Sequence, residues 1–395
     1  MTEQSTSIQE KPLIIYIVNA RIPTQKAHGV QIMHTCEALA RSGARVELVI
    51  PHRRTDIKVD PFEYYSVEPV FSIRKVFVPD LIWAGPIGFV LHEWLFVQRV
   101  KNYLKQFNSP QIVYVRGEMF FLKFASLATR HRMFFESHIK PKNFEKDLPQ
   151  YLKTAGIVVV TKYYKRELES AGFADRVLWA PDGVDLRLFA AIGNKDTARQ
   201  EFQLPLDKTI VGYVGKLTTM EQDKGVDHLL QAFFEVWQRN KNAYLLIVGA
   251  TDHEQPEVSR QLIELGIPSE SFKVVGHVPH AKALNYMRVV DVLIMNYPDS
   301  AHYAHYMSPL KLFEYMASGV PIISTDLPSV RDVLHEKNAL LVPPGEPGAL
   351  ATAIDTVFSD PQMASALAQQ ARIDVTQYSW EARARSIFAF IRNHL

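Results

Sequence analysis

Short runs of consecutive apolar residues, rich in β-branched side chains, alternate with stretches of helical periodicity along the whole 395-residue chain. The runs lie at 13–19, 46–50, 112–115, 133–136, 157–160 and 177–179, then at 209–214, 244–248, 273–275, 292–295, 321–324 and 340–342. They are nearly continuous rather than alternating, as expected of strands covered by helices on both faces. Strands and helices in regular succession predict an α/β fold with doubly wound parallel sheets. Ligands of such sheets bind beyond the carboxyl ends of the strands, so the loops that follow strands are where function is expected.

The strand series breaks between 179 and 209, where turn formers collect: Pro181, Asp182, Gly183, Gly193, Asn194 and Pro205. A linker near 185–205 would leave an N-terminal domain at 1–190, a C-terminal domain at 200–375 and a last helix at 376–395. The length agrees, at roughly 150 residues per domain. The polar start, residues 1–11 with Glu3 and Glu10, reads as a frayed leader and not as a signal peptide. The longest apolar run, 81–91, contains Pro86 and two glycines and falls short of the roughly 20 residues a membrane span needs.

Composition mostly excludes. Hydrophobic residues at 47% and charged residues at 22% fit a soluble enzyme. A formal net charge of +2 argues against a nucleic-acid binder, which carries a basic excess. The single cysteine, Cys36, rules out disulfide frameworks and cysteine-based zinc sites and fits a cytoplasmic location.

Four segments carry chemistry. In 308–319, Ser308 suits an N-cap, Pro309 the first helical position and Gly319 the residue after the helix. Lys311 then falls in the first turn, where the macrodipole disfavours a cation unless an anion is held there. Glu314 lies one turn on. By itself the segment also reads as a capped surface helix with a solvated Lys and Glu. The second segment, 211–217, ends a strand at Gly215 and is followed by Lys216 and Lys224, a bare turn with two cations for a diphosphate. It lacks Walker and dinucleotide spacing and reads equally as a plain glycine turn. Gly29 follows the first strand and opens a helix, and His138 sits at the carboxyl edge of another strand. Both are also consistent with purely structural roles.

Together these segments resemble glycosyltransferase family 4, retaining enzymes of the GT-B fold with two facing Rossmann-like domains. The resemblance is carried by "VGYVGKL…DKGVDHLLQAF" and "SPLKLFEYMASGVPIISTDLPSVRDVL", with "APDGVD" at 180–185 and "YSWEARA" at 378–384. It weakens through 52–130. It implies a hexose-type sugar moved from a nucleotide-diphosphate sugar to a hydroxyl acceptor, in polysaccharide or glycoconjugate synthesis. It further implies a UDP-sugar donor by family frequency, acceptor binding by the first domain, no metal and no separate cofactor.

Residue by residue, the resemblance gives Lys216 and Lys224 the diphosphate charge, Glu314 the ribose, and Ser308, Leu310 and Lys311 the amide loop at the phosphates and sugar. Gly215 lies in the same turn, Val278 near the base, Gly29 facing the diphosphate, and His138 beside the transferred sugar. His138, Lys216 and Lys224 are the catalytic candidates. The chain departs from the family where Tyr306 replaces a glutamate eight residues before Glu314, and where Asp182 replaces the usual Asn of a turn. A nucleotide-sugar epimerase and a non-catalytic nucleotide-sugar-binding protein stay open as alternatives. Asp299, His302 and His305 have a spacing that a metal could use, although loop filling or pocket lining explains them as well. Residues 71–105 mix Trp83, Phe89, Trp94, Phe96 and Tyr103 with Arg74, Lys75, Arg99, Lys101 and Lys105. They read as a helix packed in the N-terminal domain or as a surface for anionic membrane at the inner face.

Overall fold

In a computed structural model, residues 11–189, 194–219 and 222–395 are described. The expected leader at 1–10 and part of the expected linker, 190–193, lie outside them. The chain divides into two units. One holds the described residues up to Pro181 together with Trp380–Leu395, and the other those of Asp182–Ser379.

The first unit is built on β1 (Leu13–Val18), β2 (Arg45–Pro51), β3 (Ser72–Val76), β4 (Ile112–Arg116), β5 (Arg132–Ser137), β6 (Gly156–Val159) and β7 (Val177–Trp179). They form one sheet in the order 3-2-1-4-5-6-7, every neighbouring pair parallel. Ile14, Ile15, Tyr16 and Ile17 of β1 are wholly buried, which accounts for the unbroken apolar run. The sequence pattern misses only β3 in this sheet. That strand forms the edge, and its Arg74 and Lys75 are the kind of charges that keep edges from pairing further.

The second unit adds β8 (Thr209–Val214), a small antiparallel pair β9 (Thr218–Thr219) and β10 (Gln222–Asp223), then β11 (Ala243–Ala250), β12 (Phe272–Gly276), β13 (Val292–Met295), β14 (Ile322–Thr325) and β15 (Leu340–Val342). The main sheet runs 12-11-8-13-14-15, again parallel. Ile210 and Val214 of β8 enter the core on one face, Val211 and Tyr213 the core on the other. Strand order reverses between β8 and β13, so the crevice at their carboxyl ends is where a ligand of this unit is expected.

The crossing between units falls at Pro181, upstream of the linker that the turn formers suggest. Asp182 and Val184 are already tied into the second unit, the Asp182 amide donating to Ser308 Oγ (3.0 Å) and the Val184 amide to the Tyr378 carbonyl (3.1 Å). The return falls at Trp380. From there the helix Trp380–Asn393 buries Trp380, Ala384, Ile387 and Ile391 in the first unit, and Trp380 stacks on His34 with ring centroids 5.7 Å apart.

Candidate functional site

In the second unit, β8 ends at Gly215, whose φ of +143° is open to glycine and strained for other residues. Its amide donates to the Val248 carbonyl at 2.8 Å, which fixes the turn. Lys216 is exposed, while Lys224, after β10, is half-buried. Burial first, and Lys216 second, pull the Lys224 ammonium down to about 8. Asp223 accepts from the amides of Gly225 and Val226 and so caps the helix Val226–Arg239. Asn296, just past β13, donates to the Gly225 carbonyl at 2.9 Å. The loops after β8 and β13 are thereby stapled side by side.

The helix that precedes β14 corrects two expectations. It runs Leu310–Ser318, one residue shorter at its start than the sequence suggests, with Pro309 extended at the cap. Ser308 is not the N-cap: its hydroxyl accepts from the Asp182 amide. Nor is this a solvated surface helix, since Lys311 is 9% and Glu314 8% exposed. Gly319 takes the left-handed conformation that ends the helix, at φ +76°. Leu310 and Lys311 lie in the first turn, where helical geometry leaves amides without an intrahelical acceptor.

Lys311 points back under Gly215. Its Nζ stands 3.9 Å from the centre of the Tyr213 ring and 5.1 Å from that of Tyr297. Among the described residues it has no hydrogen-bond partner. Burial, followed by Lys224, holds this amine well below the ordinary lysine range, with Glu314 opposing. Tyr315 on the same helix donates to the Val214 carbonyl (3.0 Å) and accepts the Val214 amide (2.9 Å), locking the helix to β8. Glu314 Oε1 lies 2.6 Å from His280 Nε2. Val278 sits in the turn after β12, partly buried against the core.

Thus Gly215, Lys216, Lys224, Leu310, Lys311 and Glu314 gather at the carboxyl ends of β8 and β13, whereas Gly29 and His138 belong to the first unit. Gly29 lies in the first turn of the helix Ala27–Arg41, and a Cβ there would come within 2.2 Å of the Tyr65 hydroxyl. That hydroxyl is itself held between the amide and carbonyl of Thr24, so packing alone demands glycine. His138 Nε2 is 2.7 Å from Oε1 of Glu136, two residues earlier in β5.

Glu136 is fully buried and takes hydrogen bonds from Gln31 (2.6 Å), Tyr114 (2.7 Å) and Arg383 of the last helix (2.9 Å). Burial alone would raise its carboxyl. Arg383, His138 and Arg116 outweigh it and hold the group well below the ordinary range.

The sequence pattern assigns no role to His280, Glu136 or Arg383. Glu136 and His138 were detectable as a strand pair of period two on one face. Arg383 was detectable as a charge inside the apolar stripe of Trp380, Ala384 and Ile387. Nothing in the pattern singled out His280. Among the described residues no group of three or more His, Cys, Asp or Glu is placed to hold a metal ion, the set around His302 and His305 included.

Residues 28–188 match the family model described as "Glycosyltransferase Family 4" and residues 208–360 the one described as "Glycosyl transferases group 1". The chain belongs to glycosyltransferase family 4. It is 28% identical over 227 residues to a D-inositol 3-phosphate glycosyltransferase of Corynebacterium urealyticum, covering 55% of this chain and 51% of that protein. To a phosphatidyl-myo-inositol mannosyltransferase of Mycolicibacterium smegmatis it is 27% identical over 241 residues, 60% of this chain and 57% of that one. The chain therefore spans about half the length of the curated relatives it matches. Among solved structures, sucrose-phosphate synthase from Thermosynechococcus elongatus superposes with a TM-score of 0.74 at 20% identity, over 97% of this chain and 99% of that chain. HepE from Anabaena in complex with UDP and glucose gives 0.73 at 15% identity, over 97% and 100%. The fold of this family 4 chain is GT-B.

Proposed function

We propose that this family 4 chain transfers a hexose-type sugar from a nucleotide-diphosphate sugar to a hydroxyl acceptor, with retention at the anomeric carbon and without a metal ion. The observation that carries the reading is the convergence of Lys216, Lys224 and the buried Lys311 on one strand end beside Glu314. In the departing step the bond between anomeric carbon and phosphate oxygen breaks and negative charge grows on the diphosphate. Lys216, Lys224 and the first turn of the helix at Leu310 would stabilise that charge. The acceptor hydroxyl attacks from the same face and its proton passes to the leaving phosphate, so no separate base is required. Glu314 would accept from the ribose hydroxyls. Uridine is the favoured base, in keeping with the UDP and UDP-sugar complexes of HepE. The first unit would serve the acceptor, and His138 keeps the role that the family resemblance implies for it.

Thermal stabilisation by a panel of nucleoside diphosphates and their sugars identifies the donor, because a ligand that binds only the folded state raises its apparent stability. Donor turnover with Lys224→Ala then tests the site: loss of one charge-stabilising donor costs about 10²–10³ in rate. Wild-type turnover by a folded Lys224→Ala protein would sink the assignment. An epimerised free nucleotide sugar without glycosylated acceptor would favour the epimerase alternative, and donor binding without any product the non-catalytic binding protein.

A further inference from the structure

The helix Gly85–Leu104 of the first unit buries His92, Phe96, Val97, Val100 and Leu104. Its other face is apolar too, and among the described residues nothing covers it. Ile87, Val90, Leu91 and Trp94 are spaced three, four and seven residues apart, so they form one stripe. Ile87 is 83% exposed, and Trp83, in the turn before the helix, 84%. Single exposed apolar residues are ordinary, but a contiguous stripe with two tryptophans marks a surface that something else covers.

Charge says what that occupant is. Seven residues past Trp94 the same stripe reaches Lys101, and four further Lys105, the second of which is exposed. Lys101 and Lys105 lie one turn apart at the end of this helix, on the same side. Arg99 lies 6.0 Å from the ring centre of exposed Phe77, and Lys75 is exposed on the edge strand β3. The acidic groups are few: residues 71–105 hold five basic and two acidic side chains. Of the two, Glu93 is paired with Lys123 at 3.0 Å, and Asp80 accepts the Arg54 amide at 3.2 Å. A second copy of the chain would set this positive patch against itself. An apolar stripe that continues into lysines is instead the arrangement of a helix lying in a membrane interface. Among the described residues no helix is long and apolar enough to cross a membrane, so the contact would be peripheral.

We propose that this face docks on an anionic phospholipid bilayer, with Trp83, Ile87 and Trp94 entering the boundary between headgroups and acyl chains and Lys101 and Lys105 meeting lipid phosphates. The inference uses neither donor nor acceptor, so its failure would leave the transferase reading intact.

The test is co-sedimentation of the full chain with phosphatidylcholine vesicles, with and without phosphatidylglycerol. Binding is expected only with the anionic lipid and is expected to weaken in high salt. Trp83→Ser combined with Trp94→Ser should weaken it at least roughly tenfold, and Lys101→Glu with Lys105→Glu likewise at low salt. Circular dichroism and thermal melting should stay unchanged in both variants. Absence of binding to anionic vesicles at low salt would overturn the proposal, as would equal binding by the tryptophan variant. So would concentration-dependent dimerisation that the tryptophan variant abolishes without any vesicle binding.

Discussion

His280 Nε2 and Glu314 Oε1 lie 2.6 Å apart, joining the first residue of one helix to the second turn of another. Burial draws His280 toward the neutral form, but Glu314, and then Asp185, outweigh it and raise its pKa. The imidazolium occupies one carboxylate oxygen and leaves the other for a ribose hydroxyl. The expected result is a donor KM raised roughly two- to tenfold in His280→Ala with kcat little changed, the range of one hydrogen bond. Because its folded pKa is raised, the charged pair is complete below the ordinary histidine range and lost as pH rises through the raised value. The wild-type KM should climb over that interval, and His280→Gln should lack the rise. Steady-state kinetics across pH checks both points; an unchanged KM in His280→Ala would remove the positioning role.

Lys224 gives a second pH signature, at about 8. A bound diphosphate favours the ammonium, so donor binding should take up a proton wherever the free lysine is neutral. Below about pH 8 this group leaves affinity flat; above it affinity should fall by up to about tenfold per pH unit. Calorimetry at about pH 9 in two buffers of different ionisation heat would detect the uptake. Lys224→Arg, which stays charged, should flatten the profile. Donor affinity independent of pH across this range in the wild type would contradict the placement of Lys224.

These residues also show where sequence stops being informative. The central strands were legible because burial on both faces requires unbroken apolar runs, as in β1 and β11. β3 was not, because this edge strand exposes Ser72, Arg74 and Lys75 and so offers no continuous apolar run. Lys216 and Lys224 were legible because they follow the end of β8 within ten residues, and Glu314 because it lies one turn into a helix whose start and end the sequence marks. The environment of Lys311 was not. A lysine in a first turn reads as solvated, and only the packing of Tyr213 and Tyr297 around it shows otherwise. The misplaced cap has a similar origin: Ser308 is sterically suited to cap the helix but is drawn to the Asp182 amide, 126 residues away in sequence.

Glu136 and Arg383 form an ion pair at 2.9 Å in which both side chains are almost wholly buried. Removing the cation leaves a buried carboxylate short of its main partner, so Arg383→Met should destabilise the protein by about 3–5 kcal/mol. Glu136 has a depressed pKa, so its stabilisation is present above the ordinary carboxylate range and is lost as pH falls through the folded value. Denaturant melts from about pH 6 to about pH 3 should therefore show a steep decline in the wild type and a shallower one in Glu136→Gln. Equal slopes would mean that Glu136 does not carry the acid sensitivity.

The most telling variant is at Lys311. An amine buried without a hydrogen-bond partner costs the free protein stability, because its lost hydration is not replaced. The rings of Tyr213 and Tyr297 return part of that, and only while the amine is protonated. A methionine of similar length fills the same space without the charge. Lys311→Met should therefore melt at or above the wild-type temperature, a gain of about 1–3 kcal/mol, the cost of burying an uncompensated polar group. The same variant should bind the nucleotide-sugar donor at least roughly tenfold more weakly, since one of three converging cations is gone. Higher stability with lost affinity is the mark of a residue kept for its ligand. Lower stability with unchanged affinity would make Lys311 a structural residue, and the positive potential at Gly215 would then come from Lys216 and Lys224 alone.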